Sequence, residues 1–213
     1  MTTSDRYPLA LLVAFILIFA ALAVAPSYRQ DWLLENLLVF VAVPLLVVNY
    51  RRLRFSNYAY TCLFVFLVLH EIGAHHTYSE VPWRDWLAPL TGGDGDGRAG
   101  RNHYDRFVHF TYGLLLMPAA VELIGARMSP QGLWRWLMPV LFIMSHSVIY
   151  EMIEWGAALV FGGELGTAYL GTQGDEWDAQ KDMALATLGA VIGLAVVALL
   201  GAARRAARSA RAR

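Results

Sequence analysis

Residues 183–201 read MALATLGAVIGLAVVALLG, nineteen positions without one charged side chain. A helix rises 1.5 Å per residue and needs about 20 mostly apolar residues to cross the hydrocarbon core of a bilayer. This stretch meets that requirement, and its flanks sharpen the reading. Asp175, Glu176, Asp178, Lys181 and Asp182 precede it, and Arg204, Arg205, Arg208, Arg211 and Arg213 follow it. Gly189 and Gly193 form a G-x-x-x-G pair on the same helix, a pattern that lets two helix backbones approach closely.

Working outward, five more apolar runs cover roughly 8–25, 33–50, 55–72, 107–125 and 133–161. They are too long and too continuous for barrel strands, which alternate over about 10 residues. Pro44, Pro118 and Pro139 lie within the runs, where neighbouring helices can satisfy the freed carbonyls. The sequence therefore predicts an all-α, polytopic integral membrane bundle of about six transmembrane helices. Composition agrees: of 213 residues, 57% are hydrophobic and 16% charged, against about 25% charged in a soluble domain. So apolar a chain is not intrinsically disordered. Cys62 is the single cysteine, which excludes a disulfide scaffold.

The first run needs a separate decision, because Arg6, an apolar core and Ala23-Val24-Ala25 resemble a signal peptide with its cleavage site. The apolar stretch is longer than a signal core, and Pro26 would follow the cut. A retained helix is the expectation.

Basic residues near helix ends collect on the cytoplasmic side. With six crossings both termini share a side, and that side carries 11 of the 17 cations: Arg6, Arg51, Arg52, Arg54, Arg127, Arg135 and the five tail arginines. Of the 17 acids, only Asp5 and Glu122 fall there. The expected topology is a bacterial inner-membrane protein with both termini cytoplasmic, an extracytoplasmic loop over 77–104 and a basic tail over 202–213. The tail reads as a topology anchor, and no nucleic-acid partner is expected.

This topology brings polar residues from four helices to one membrane level. The third run ends in His70-Glu71 and His75-His76, and the fourth opens with Asp105-Arg106 and His109. The fifth carries His146-Ser147, Tyr150-Glu151 and Glu154, and the sixth is preceded by Asp178 and Asp182. Residues four apart share a helix face, so Glu71/His75, Asp105/His109 and Asp178/Asp182 each form a facing pair. On the fifth run His146, Ser147, Tyr150, Glu151 and Glu154 form one stripe about 140° wide, opposite Val148, Ile149 and Met152. Ionisable groups inside a bilayer are costly and mark function. Any one such acid–histidine pair is ordinarily a helix–helix hydrogen bond; four at one level point further.

Imidazole with carboxylate suits zinc or non-haem iron. Candidate ligands of a divalent metal are Glu71, His75, Asp105, His109, His146, Glu151 and Asp182, with Glu154 or Asp178 as general base toward a metal-bound water. An ion or proton pathway and a purely structural polar network remain as alternatives. Carriers typically show inverted repeats and broken midplane helices, and neither is legible. Asp94-Gly95-Asp96-Gly97 fails the calcium-loop register, and 91–100 reads as a flexible loop. Val81-Pro82-Trp83-Arg84-Asp85-Trp86-Leu87 suits an amphipathic segment in the interface, as a lid over the polar site or an anchor. No P-loop, G-x-S-x-G or H-E-x-x-H is present.

With these motifs the chain resembles the YjdF-like bacterial inner-membrane proteins. The resemblance rests on His70-Glu71-Ile72-Gly73-Ala74-His75, Tyr104-Asp105-Arg106-Phe107-Val108-His109, Ser145 with Tyr150-Glu151 and Glu154-Trp155, and Gly174-Asp175 with Trp177-Asp178, Gln180 and Asp182-Met183, and it spans about residues 8–200. The carboxyl part is also distantly similar to VanZ-like membrane proteins. Both likenesses imply a helical membrane bundle and the place of its polar site, and neither implies a reaction. A metal-dependent hydrolase or transferase acting on a lipid or lipid-linked substrate of the bilayer is the leading expectation, with a transporter or proton-coupled carrier as the rival. Substrate and oligomeric state are not legible.

Overall fold

The computed structural model describes residues 5–91, 101–163, 166 and 170–211. Among the described residues the regular structure is helical and no strand occurs. The helices are α1 (Arg6–Leu22), α2 (Arg29–Glu35), α3 (Leu37–Asn49), α4 (Asn57–His75), α5 (Trp83–Thr91), α6 (Tyr104–Met128), α7 (Trp134–Phe161) and α8 (Asp178–Arg211). Five segments are long and apolar enough to cross a membrane: Arg29–Asn49, which joins α2 to α3, and the helices α4, α6, α7 and α8. α1 is shorter, at 17 residues. The chain is an all-α polytopic bundle.

Hydrogen bonds fix the direction of each helix. At one end, the Tyr50 hydroxyl donates to Asp5 and Ser56 to the Glu122 carboxylate. At the other end, the Tyr104 hydroxyl donates to the Leu69 carbonyl and Tyr150 to Glu35. α1 therefore runs beside α4 from end to end: Tyr7 bonds Thr61 at its start, and His75 bonds the Leu22 carbonyl at its finish. The helices alternate in direction along the chain. Arg51, Arg52, Arg54, Arg127, Arg135 and the arginines of the α8 tail gather at one end with Asp5 and Glu122, and Asp31, Glu35, Glu71, Asp105, Glu151, Glu154, Asp178 and Asp182 lie at the other.

The tightest packing joins α6 to α8. A Cβ on Gly189 would stand 2.0 Å from the Phe110 carbonyl oxygen, and one on Gly193 2.8 Å from that of Leu114. These glycines let the two backbones touch, as their G-x-x-x-G spacing predicts. Met117, Ala120, Ile143 and Ala190 form the buried apolar cluster that links α6, α7 and α8.

The helices outrun the apolar runs that announced them. α4 continues to His75, α6 begins at Tyr104, and α8 runs from Asp178 through the basic tail to Arg211. Hydropathy marks only the slab in contact with lipid tails, whereas backbone hydrogen bonding carries a helix past it. The second run also begins earlier and is interrupted: α2 and α3 are separated by Asn36 alone. One broken helix is thus present where none was expected, though the break lies about 10 Å from the end of its segment rather than at the midplane. Within Val81–Leu87, Val81 and Pro82 precede α5 and Trp83–Leu87 forms its start, with Trp83 packed on Tyr104 and Phe107 and Trp86 exposed. The 94–97 Asp-Gly stretch lies outside the described residues.

Candidate metal centre

At the carboxylate end the helix register produces one compact group. Asp105 and His109, one turn apart on α6, face Asp182 on α8, and a ligand atom of each lies within 4.8 Å of the others. His109 Nε2 is 3.5 Å from Asp105 Oδ1 and 3.7 Å from Glu151 Oε1 of α7. Three helices thus bring three carboxylates around one imidazole, with those of Asp105 and Glu151 at 3.5 and 3.7 Å from its Nε2. Around a tetrahedral ion with bonds near 2.1 Å, ligand atoms stand about 3.4 Å apart, so small rotations of these side chains would suffice to hold an ion. Asp182 is 2% exposed, and its Oδ1, like Glu151 Oε1, has no hydrogen-bond partner among the described residues. A buried polar atom left unsatisfied costs about 1–3 kcal/mol, more when charged.

A second group lies alongside. Asp31 and Glu35 of α2, Asn36 at the break and Glu71 of α4 are all buried. Glu35 is within electrostatic reach of Asp31, Glu71 and Asp105, and Glu154 of α7 is within reach of Glu35, Glu151 and Asp105. The Tyr150 hydroxyl donates to Glu35 Oε2 at 2.8 Å, so α7 touches both groups.

Arginines close the outer rim. Arg101 pairs with Asp178 and donates to the Thr172 carbonyl oxygen. Arg106 pairs with Asp175 and stands 3.4 Å from Asp178. Lys181 Nζ is 2.6 Å from Asp175. Beyond the membrane-spanning segments, the Lys181 ammonium, with the Trp177 backbone N–H and Arg106, holds the Asp175 carboxyl down at about 2. Partial burial and then the nearby Arg106, Arg101 and Arg84 lower the pKa of His103.

The structure brings together Asp105, His109, Glu151 and Asp182 from the expected ligand set, and places the rest elsewhere. Glu71 belongs to the second group. His75 Nδ1 is bonded to the Leu22 carbonyl, and its ring packs on His76, on the α1 side of α4. His146 is exposed, bonded to the Phe142 carbonyl of its own helix and packed on Phe142. The buried face of α7 is defined by Ile143, Ser147 and Glu154, and His146 lies about 80° from its centre. The inward stripe of α7 therefore runs over Ser147, Tyr150, Glu151 and Glu154 without His146. Of the two general-base candidates, Asp178 is engaged by two guanidinium groups, while Glu154 is buried beside Glu151 and Glu35. Asp31, Glu35, Asn36 and Arg101 escaped the sequence reading. An i,i+4 acid pair straddling the start of an apolar run is the available signal for the first two.

A family model described as predicted membrane protein DUF2238 matches residues 7–203. The chain is 33% identical over 187 residues to "Inner membrane protein YjdF" of Escherichia coli (strain K12), an alignment that covers 85% of this chain and 83% of that protein. No solved structure matches the chain significantly.

Proposed function

The chain belongs to the DUF2238 family of predicted membrane proteins, and on that premise we propose that it holds a divalent metal in a carboxylate–imidazole centre at the extracytoplasmic face of the bacterial inner membrane. The ligands are Asp105, His109, Glu151 and Asp182, and zinc or iron is the ion their mixed nitrogen and oxygen donors suit. The observation that carries this reading is the pair of buried carboxylate oxygens, Asp182 Oδ1 and Glu151 Oε1, that have no hydrogen bond among the described residues and lie around His109. A purely structural network would satisfy its members, because half-satisfied polar networks destabilise a core. A divalent cation would neutralise the excess acid and use a neutral imidazole as a ligand.

The leading activity is metal-assisted hydrolysis or transfer on a lipid or lipid-linked substrate. In this reading the centre would sit at the level of lipid headgroups, and Glu154, buried beside Glu151, would serve as the general base for the water that a bound metal would activate. Both termini face the cytoplasm in this reading, since the arginine-rich end is the cytoplasmic one. A carrier is the second reading, and the break at Asn36 is the feature that favours it. Against it stand the off-centre position of the break and the absence of a legible repeat.

Elemental analysis of the purified full chain tests the metal. Close to one equivalent is expected in the wild type, with loss in His109→Ala and Asp182→Asn. Less than about 0.1 equivalent in folded protein would overturn the reading, since a centre this rich in acid retains its ion when the ligands are present.

A further inference from the structure

A cleft lies between α1, α3 and α4 at the arginine-rich end of the bundle, opposite the proposed metal centre. Its volume is about 300 Å³, large enough for a ligand. Apolar side chains of all three helices form its walls, among them Leu12 and Phe15 of α1, Val43 and Leu46 of α3, and Leu63 and Leu67 of α4. Asp5, Tyr50, Arg51 and Tyr60 line its polar end. From Asp5 to Phe15 the α1 wall is about 15 Å long at 1.5 Å per residue. That is about half of the hydrocarbon core, the depth of one leaflet.

Contacts at two levels frame the cleft. Toward the carboxylate end, Phe40 of α3 packs on Phe19 of α1 with ring centroids 5.9 Å apart. At the arginine end, the Tyr50 hydroxyl donates to Asp5 at 2.9 Å, and the Tyr50 ring lies 6.1 Å from that of Tyr60. Between these levels α3 stands off from α1 and α4, and the cleft fills the gap. The charge at its mouth is positive. Arg54 pairs with Asp5 at 3.2 Å, whereas Arg51 is exposed and makes no ion pair among the described residues. Apolar walls give water nothing to bond, and left empty they lose the dispersion contacts that a filling chain would supply. A hydrocarbon chain below an anion satisfies walls and mouth together.

We propose that this cleft is a binding site for a glycerophospholipid with an anionic headgroup, one acyl chain lying between α1, α3 and α4 and the phosphate at Arg51. Basic pockets between membrane helices attract anionic headgroups, and Tyr50 and Tyr60 stand where amphipathic rings meet the headgroup level. A zwitterionic lipid offers the same chains without the net charge, so Arg51 is the residue that selects. The site lies at the other end of the bundle from Asp105, His109 and Asp182. It therefore stands whether or not that group binds metal, and its lipid is a resident of the opposite leaflet rather than a substrate.

The test uses the full chain in a neutral detergent, delipidated and titrated separately with phosphatidylglycerol and phosphatidylcholine, with bound lipid counted by native mass spectrometry. The wild type is expected to bind one phosphatidylglycerol about 5-fold more tightly than phosphatidylcholine, the effect of one arginine beside an anionic headgroup. Arg51→Gln is expected to erase that preference and leave phosphatidylcholine binding unchanged. Leu63→Trp, which fills the cleft, is expected to exclude both lipids. Leu12→Trp is the second variant should Leu63→Trp fail to fold, with the same expected readout. A preference absent from the wild type, or kept by Arg51→Gln, overturns the proposal. So does unchanged phosphatidylglycerol binding in either folded cavity-filling variant, which would place the lipid elsewhere on the surface. A lipid-free dimer in the spectrum overturns it too, by putting a second copy in the cleft.

Discussion

A methyl group on Gly113 would stand 1.9 Å from the carbonyl oxygen of Ala186. Neither atom can move aside cheaply, because both belong to helix backbones. This contact, with Gly189 against Phe110, sets the distance between α6 and α8. It thereby sets how closely Asp105 and His109 approach Asp182, about one to two turns away along the same pair of helices.

Gly113→Ala is therefore expected to destabilise the protein by about 1–3 kcal/mol or more, the range for forcing atoms into a packed interior. Thermal unfolding in detergent checks it, with Gly125→Ala as the control. Nothing lies within 4 Å of a Cβ at Gly125, so that variant is expected to match the wild type.

Arg101 joins the segment entering α6 to both the Thr172 carbonyl and Asp178. Both side chains of the ion pair are largely buried. Arg101→Ala is expected to cost about 3 kcal/mol, because removing one partner strands a buried charge. Arg101→Lys should recover little, as an ammonium cannot reproduce a planar fork that serves two acceptors at once. Chemical or thermal unfolding of the three proteins decides it. Wild-type stability in Arg101→Ala would show the pair to be an exposed one in practice.

The bundle was legible because apolar runs of membrane-crossing length leave few alternatives, and the α6–α8 contact because G-x-x-x-G has a direct packing meaning. The convergence of Asp105, His109, Glu151 and Asp182 followed from helix spacing plus alternating direction. What spacing could not supply was the azimuth of each helix. His75 and His146 sit on turns that face α1 and the outside of the bundle, and nothing in their i,i+4 neighbours distinguishes them from His109. Asp31 and Glu35 are hard to read because hydropathy places Asp31 just before the second run and Glu35 at its very start, as acids at a helix end, while both are buried in the structure.

Acid dependence follows from Asp175. Its carboxyl is held at about 2 rather than the ordinary 3.8 by Lys181 first, with Trp177 and Arg106. A depressed pKa means stability that is complete above about 4 and is lost as pH falls through the folded value. Asp175→Asn should leave stability between pH 5 and 7 lower and remove this share of the acid-induced loss between about pH 4 and 2. The group is solvent-facing, so the difference is small and shrinks with added salt. An unaltered acid limb in the variant would show that Lys181 and Arg106 do not hold the carboxylate in solution.

Orientation is checked independently of any ligand. A reporter fused after Leu53 is expected to read cytoplasm, and one fused after Val81 the extracytoplasmic side. The expectation rests on the arginines at the Leu53 end of the bundle. An extracytoplasmic signal after Leu53 would move both carboxylate groups to the cytoplasmic face and remove the argument for an outer-leaflet substrate.

The α7 face supplies the most discriminating comparison, because three adjacent residues point in different directions. Glu154 is buried, Glu151 half-buried with its Oε1 toward His109, and Met152 is 60% exposed on the outside of the bundle. Glu151→Ala removes a ligand of the proposed centre, so metal content is expected to fall along with any activity. Glu154→Ala leaves the ligand set intact, so metal is expected to stay while turnover falls by about 100-fold or more, the usual contribution of a general base. Met152→Ala deletes only lipid-facing surface and should change neither. Metal content and turnover measured on the three variants separate the roles. Equal loss in all three would mean that α7 had been destabilised, and loss of metal in Glu154→Ala would make Glu154 a ligand rather than a base.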